Sequence, residues 1–202
     1  MVRTKNETLI ELQDLKIKRI EVPIQGISPL IVHRFGAKAT KEMEDKKLGK
    51  AKSAKHVITN PKKEFEDAKH ISAEGWEGFP VGGMKKCIVR GAKAVGLTMT
   101  DIRAGVFIEP DCQRTNLFRI HGKSELRKDH VRLSSGAPDI RYRPEYIEWG
   151  ATLVITFNEG LLSKDQLLQA VYAAGYGTGI GDWRPERGGD FGRFVPAQLA
   201  EK

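Results

Sequence analysis

The chain has 202 residues, of which 40% are hydrophobic and 30% are charged, so it is long enough for one elaborated domain with an apolar core. Lys and Arg exceed Asp and Glu by 34 to 26, and the formal net charge of +8 is typical of a protein that binds a polyanion. No apolar run approaches the length of a membrane span, so we expect a cytoplasmic protein without membrane contact. Cys87 and Cys112 are far apart and lack a metal-like spacing, so we expect reduced thiols, no metal and no cofactor.

Alternation of apolar and polar residues predicts a first strand at residues 15–24, where Ile20, Val22 and Ile24 share one face. The composition then changes over residues 36–75, which are rich in lysine and poor in apolar side chains. We expect this segment to be a basic, mobile insertion, either a solvated tether or a flap that closes over a phosphate backbone.

A glycine-rich turn at residues 78–83 precedes a predicted helix over residues 84–95, whose apolar positions fall on one side. A second face of this helix is basic. Its members are Lys85, Lys86, Arg90 and Lys93. These cations and the open amides at the helix start suit a backbone phosphate, although an ordinary amphipathic helix with a solvated basic face has the same pattern.

Short strands are predicted at residues 106–108, 117–120 and 131–133, joined by turns. Arginine and lysine outnumber the acids around them, so residues 109–145 are predicted to form a basic β-hairpin arm, a clamp on nucleic acid or a contact between subunits. The arm's candidate nucleic-acid contacts are Arg119, Arg132 and Arg141.

The clearest strand is predicted at residues 146–157, and a capping box of Ser163 and Gln166 then opens a second helix over residues 164–174. A last strand is expected within residues 191–199. The order of strand, helix, two strands, helix and strand predicts an α+β fold, a single ferredoxin-like (RRM-like) β-α-β-β-α-β domain over residues 1–202 with a lysine-rich insertion and a basic hairpin arm. The open sheet face of that fold often binds single-stranded nucleic acid.

Glycines, aromatic residues and arginines are interleaved in a glycine-rich loop over residues 175–194. Its spacing fits neither a dinucleotide fingerprint nor a P-loop, whereas bare amides, aromatic faces and guanidinium groups are what a site needs to follow phosphates and stack bases. An ordered loop with core aromatics is the alternative. The candidate contacts are Trp183, Arg184, Arg187, Phe191 and Arg193.

Three stretches of the chain resemble the RAMP superfamily, the ferredoxin-like proteins of CRISPR systems. They are residues 26–30 after the first strand, residues 79–90 at the start of the first helix, and residues 179–194 in the glycine-rich loop. The resemblance implies an RNA-binding or single-strand-binding subunit, with single-stranded RNA or DNA as its partner, that forms a homo-oligomer or filament or joins a multisubunit ribonucleoprotein. A free-standing phage or prokaryotic relative of such a subunit would fit the size of the chain equally well.

Two other functions remain open. Some members of that superfamily are guide-processing endoribonucleases, and His33 with its neighbour Arg34 is the best candidate here for the catalytic histidine of a metal-independent cleavage. The third hypothesis is a non-catalytic assembly subunit, such as a viral mimic of a CRISPR backbone subunit. We favour a binding protein, because no hydrolase or metalloprotease motif is present in the sequence. We expect RNA to be preferred over DNA, which is what the resemblance implies.

Overall fold

The computed structural model describes residues 14–34, 36, 43–45, 47–49, 60–132 and 135–199. Of the predicted insertion over residues 36–75, residues 37–42, 46 and 50–59 lie outside this description, as does residue 133 of a predicted strand. The strands are β1 (Ile17–Gly26), β2 (Leu30–Ile31), β3 (Gly78–Pro80), β4 (Val106–Glu109), β5 (Leu117–Arg119), β6 (His121–Arg132), β7 (Pro138–Asn158) and β8 (Phe194–Pro196). The helices are α1 (Pro61–Asp67), α2 (Val81–Gly91), α3 (Met99–Gly105) and α4 (Lys164–Gly177), with 3₁₀ turns at Ala92–Val95, Pro185–Arg187 and Ala197–Leu199.

The chain has an α+β fold built on an antiparallel sheet whose longest strand is β7. The second half of β7 pairs with β1 along one edge, with Ile17 opposite Asn158, and with β4 along the other edge, with Val106 opposite Phe157. The short strand β8 pairs with the free edge of β1. The strand order in this half of the sheet is therefore β4-β7-β1-β8, with every neighbouring pair antiparallel.

The first half of β7 continues the same six-stranded sheet. It pairs with the short strand β2, with Leu30 opposite Tyr146, and with β6 it forms a long hairpin, which we call the arm. The pairing runs from His121 opposite Gly150 to Arg132 opposite Pro138, with a bulge between Gly122 and Ser124. Short strands were expected here, but β6 spans twelve residues and β7 twenty-one. Charged residues interrupt the alternation of apolar and polar side chains along the arm, so the sequence pattern predicts only the ends of these strands. Meanwhile β5 pairs with β3 in a separate two-stranded sheet.

The core lies between one face of the sheet and the helices α2 and α4. The predicted alternation is observed, because Val22, Ile24, Leu153 and Ile155 are buried on that face. Helices α2 and α4 approach so closely at Gly91 that a Cβ there would overlap Ala174. The opposite face of the sheet carries polar residues and is not covered by either helix.

The helix ends follow their capping signals. Ser163 and Gln166 form the predicted capping box at the start of α4, and the 3₁₀ turn after α2 ends at Gly96, whose φ of 73° is left-handed. Helix α2 begins at Val81, three residues before the predicted start, because Pro80 supplies the extended residue that precedes it. Within the described residues, no helix is both long enough and apolar enough to span a bilayer.

Candidate nucleic-acid interface

A cavity of about 220 Å³ lies where α2, the glycine-rich loop and the chain just after β2 converge. These segments are far apart in the sequence, and each of them contains candidate functional residues predicted from the sequence. The charged and imidazole side chains that line the cavity are His33, His70, Lys86, Arg90, Asp182, Arg184 and Glu186. Cations and imidazoles therefore predominate over carboxylates in its walls, which makes the cavity a candidate site for an anion.

Helix α2 contributes one face to the cavity. Gly83, Lys86, Cys87 and Arg90 line it, and their spacing of three, one and three residues places them on one side of the helix. This face extends about 10 Å from Gly83 to Arg90 at 1.5 Å per residue. The ring of Phe79 closes the Gly83 end, where a Cβ on the glycine would press against it.

The other basic residues predicted on this helix do not line the cavity. The ammonium group of Lys85 lies 3.9 Å from the centre of the Phe107 ring on β4, and burial lowers the pKa of Lys85. Lys93 is exposed on the following 3₁₀ turn. The predicted basic row is therefore divided, with only Lys86 and Arg90 at the cavity.

The glycine-rich loop owes its path to close backbone packing. Gly181 and Gly192 have φ values of 78° and 65°, in the left-handed region. A Cβ at Gly181 would collide with the carbonyl oxygen of Ile31, and a Cβ at Gly192 with that of Ile180. Glycine at these two positions lets the loop lie directly against β2 and form the wall of the cavity.

Most amides of this loop are bound within the chain. Ile180 N–H donates to the Gly192 carbonyl and Asp182 N–H to the Ile31 carbonyl, each at 2.9 Å, while Gly192 N–H donates to the Pro29 carbonyl at 2.7 Å. The prediction that bare loop amides would follow phosphates is therefore not supported at these positions. Any anion in the cavity would be bound mainly by side chains.

Two arginines from different elements meet at one carboxylate in the cavity wall. Arg184 donates to Glu186 Oε2 from Nε at 3.0 Å and from Nη2 at 2.9 Å, and Arg90 Nη1 contacts Glu186 Oε1. Arg184 Nη1 also donates to the Gly181 carbonyl oxygen at 3.0 Å. The guanidinium of Arg184 is thus oriented by the loop backbone as well as by Glu186.

His33 lies beside Asp182, with Nδ1 3.5 Å from Oδ2, and the same oxygen accepts a hydrogen bond from Arg143 Nη1 at 2.7 Å. Burial opposes the charge of this carboxylate, but the hydrogen bonds from His33 and Arg143 outweigh burial and hold the pKa of Asp182 below its ordinary value. Asp182 therefore remains ionised and fixes the orientation of the His33 ring.

A second histidine, His70, lines the same cavity beside Phe79, with ring centres 6.3 Å apart in an edge-to-face arrangement. Burial, together with the charges of Arg34 and His33, lowers the pKa of His70 to about 4. The imidazole of His70 is therefore neutral at pH 7 and can accept a hydrogen bond there.

The predicted stacking residues of the loop pack against arginines of the arm. Trp183 and Phe191 lie 6.0 Å apart, and the guanidinium carbon of Arg127 is 5.6 Å from the first ring and 4.8 Å from the second. Arg143 lies 4.7 Å from the Trp183 ring, which remains 39% exposed. These contacts join the loop to the arm, and the exposed part of Trp183 remains a predicted surface for a base.

The remaining predicted contacts are spread over other surfaces. Arg119 lines a second cavity of about 340 Å³ with Trp76 and His121, on the face of the sheet that the helices leave open. Arg193 lies over the Tyr176 ring at 4.5 Å. Arg187 is exposed beyond Glu186, Arg132 is exposed near the tip of the arm, and Arg141 pairs with Asp139 at 3.7 Å.

Sequence reasoning did not single out His70, Asp182, Glu186 or Arg143 as parts of this site. His70 lies at the end of the lysine-rich segment, and a lone histidine there gave no signal. Asp182 and Glu186 are within the glycine-rich loop, where the sequence pattern indicates the arginines and aromatic residues as contacts. A search for acids next to the predicted phosphate-binding arginines would have found Glu186, two residues from Arg184.

No metal centre accompanies this arrangement: in the described part of the chain, no three or more His, Cys, Asp or Glu side chains are grouped so as to hold an ion. No protein-family model and no curated protein matches the sequence. Among solved structures, Cmr6 from Pyrococcus furiosus aligns over 91% of this chain and 100% of its own, with 11% sequence identity and a TM-score of 0.41. A TM-score this low does not establish a common fold.

Proposed function

We propose that this protein binds single-stranded nucleic acid, with RNA preferred, and that the cavity holds a backbone phosphate between Lys86, Arg90 and Arg184. The observation that carries the proposal is the convergence of α2, the glycine-rich loop and two histidines on one cavity. At about 220 Å³ it is smaller than the roughly 300 Å³ at which drug-sized pockets begin, so it suits one phosphate or part of a nucleotide.

The strand order β4-β7-β1-β8 with helices α2 and α4 on one face supports the ferredoxin-like β-α-β-β-α-β assignment. In this assignment β1, β4, the second half of β7 and β8 are the four core strands, and the arm is an extension of the third. The net charge of +8 provides a general attraction for the strand, so affinity should fall steeply with salt and depend little on sequence.

Fluorescence anisotropy with labelled single-stranded RNA of two unrelated sequences tests the proposal. The variant Lys86→Ala with Arg184→Ala should bind both sequences about tenfold more weakly and reduce the slope of log affinity against log salt by about 1.4, since each phosphate contact to a single strand contributes about 0.7. The control variant, Arg103→Ala with Lys164→Ala, removes the same charges from exposed positions on α3 and α4, near the β7–α4 turn. An equal loss in the two double variants, or no loss in the first, would contradict the cavity assignment.

The choice of RNA over DNA is tested by the ratio of absorbance at 260 and 280 nm after purification at low salt, with and without RNase or DNase. A high ratio that RNase alone collapses supports RNA. A protein-like ratio throughout, together with an oligomer that survives both nucleases, would favour the assembly hypothesis instead.

A metal-independent endoribonuclease is the second candidate, because His33 and His70 line the cavity together with Lys86. One of the two imidazoles would take the proton from a 2′-hydroxyl, whose oxygen attacks phosphorus, while Lys86 protonates the departing 5′-oxygen. The products would be a 2′,3′-cyclic phosphate and a 5′-hydroxyl. Incubation of RNA with EDTA tests this, and cleavage that both His33→Ala and His70→Ala abolish would support the enzyme over the binding protein.

A further inference from the structure

Glu186 places a carboxylate between two guanidinium groups that come from distant parts of the chain. Arg90 is on α2 and Arg184 is in the glycine-rich loop, and both contact Glu186 where all three residues line the cavity. Guanidinium groups that converge on one anion are an arrangement that proteins use for phosphate as well as for carboxylate. The site therefore already has an anion, and the chain supplies it.

We propose that Glu186 occupies the phosphate position of the unliganded protein and that a phosphate of the bound strand displaces it. This inference rests on the proposed function and deepens it, because it assigns an internal competitor to the same site. It implies that the protein binds its ligand more weakly than its two arginines alone would allow.

The local structure permits this displacement. Glu186 lies on a 3₁₀ turn of three residues that ends at Gly188, and about a quarter of its side chain is exposed, so it can rotate into solvent while the turn stays in place. Arg184 keeps its hydrogen bond to the Gly181 carbonyl when the carboxylate leaves. The guanidinium thus stays directed at the position that the phosphate takes.

The chemistry also favours phosphate over the resident carboxylate. A phosphodiester offers two charged oxygens as Glu186 does, but it brings the neighbouring phosphates of the strand, which interact with the other basic side chains of the protein. A small monoanion brings no such additional contacts. Competition by Glu186 therefore makes the site selective for a polyanion against single anions such as acetate or chloride.

The test compares Glu186→Gln with Glu159→Gln, which makes the same charge change at the turn after β7. Glu159 pairs with Lys18 near the start of β1, at the opposite end of that strand from the glycine-rich loop. Glu186→Gln should bind labelled single-stranded RNA roughly fivefold more tightly than the wild type and than Glu159→Gln, an effect the size of one partly exposed ion pair. Glu186→Ala should give a change of the same sign, which separates loss of charge from any contact made by the new amide.

Affinity for RNA in Glu186→Gln and Glu186→Ala that is equal to or lower than in the Glu159→Gln control overturns the inference while leaving the proposed function in place. If no variant binds RNA, the proposed function fails. A calorimetric titration of each variant with inorganic phosphate then tests the inference independently of RNA binding. Phosphate binding by Glu186→Gln that the wild type lacks supports the internal competitor, and its absence in both overturns it.

Discussion

Arg143 and Asp129 form a buried ion pair across the arm, with Arg143 Nε 3.1 Å from Asp129 Oδ2 and side chains only 2% and 5% exposed. The same guanidinium donates to Asp182 in the glycine-rich loop. One arginine therefore connects β6, β7 and the loop, which explains why a charged side chain is retained in the interior at this point. A buried pair of this kind is costly to break from one side, because the other charge is left without compensation.

Asp129→Asn should lower the free energy of unfolding by about 3 kcal/mol, because it leaves the buried Arg143 with Asp182 as its remaining carboxylate partner. Asp139→Asn is the matched control, since Asp139 pairs with Arg141 at an exposed position on the same arm and should cost less than about 1 kcal/mol. Urea unfolding of both variants measures the difference. Equal small losses would mean that Asp182 alone satisfies Arg143.

Tyr146→Phe should destabilise the protein by about 2 kcal/mol, because the buried hydroxyl donates to Glu77 Oε2 at 2.6 Å. Burial opposes ionisation of Glu77, but hydrogen bonds from Tyr146, Lys69 and Ser124 outweigh it and hold the pKa of Glu77 below its ordinary value. Tyr142→Phe, on the partly exposed arm, should change stability by less than about 0.5 kcal/mol. Thermal or urea unfolding that does not separate the two variants would contradict the role of the hydroxyl.

Gly91→Ala should destabilise the protein by about 2 kcal/mol, although glycine to alanine within a helix is ordinarily stabilising. The added Cβ would overlap Ala174, where α2 and α4 cross. Gly82→Ala, in the first turn of the same helix, meets nothing within 4 Å and should raise stability by up to roughly 0.5 kcal/mol. The prediction is that the two substitutions change the free energy of unfolding in opposite directions, and chemical unfolding of both variants under one set of conditions measures this.

His70 should make the free energy of unfolding decrease as the pH is lowered from about 6.5 to about 4. Its pKa in the folded protein is about 4, below the ordinary 6.5, so the unfolded chain binds the proton more readily and the folded state loses stability as pH falls through this window. Above that window the histidine is neutral in both states and contributes nothing. Allowing for screening by solvent, the loss is about 1 to 2 kcal/mol.

His70→Gln should flatten this part of the stability profile, because glutamine does not titrate. His130→Gln, at an exposed position of the arm, is the control and should leave the profile as it is in the wild type. The free energy of unfolding in urea, measured across the window, is the quantity to compare. A slope that persists in His70→Gln would assign the acid sensitivity to the carboxylates instead.

Sequence reasoning predicted most of the elements that have a strong local signal. The alternation around Val22 and Leu153 marked the two central strands, and Ser163 with Gln166 marked the start of α4, because burial on one face and capping are local properties.

Features that depend on distant partners could not be predicted in this way. The glycine-rich loop carries glycines because it packs against Ile31, a contact that only the folded chain defines. The convergence of His33 and His70 with Arg184 likewise depends on the path of three separate segments. The pairing of Arg90 with Glu186 is invisible in the sequence, since the two residues are far apart along the chain.

The continuity of β7 has a mechanical consequence. Its twenty-one residues run without interruption from the tip of the arm to the far end of the sheet, a contour length of about 70 Å at 3.3 Å per residue. A load applied to the arm therefore acts along the backbone of the strand around which β1 and β4 are assembled. The arm and the core thus share one continuous strand, so a force on the arm reaches the centre of the domain through the backbone of β7 itself.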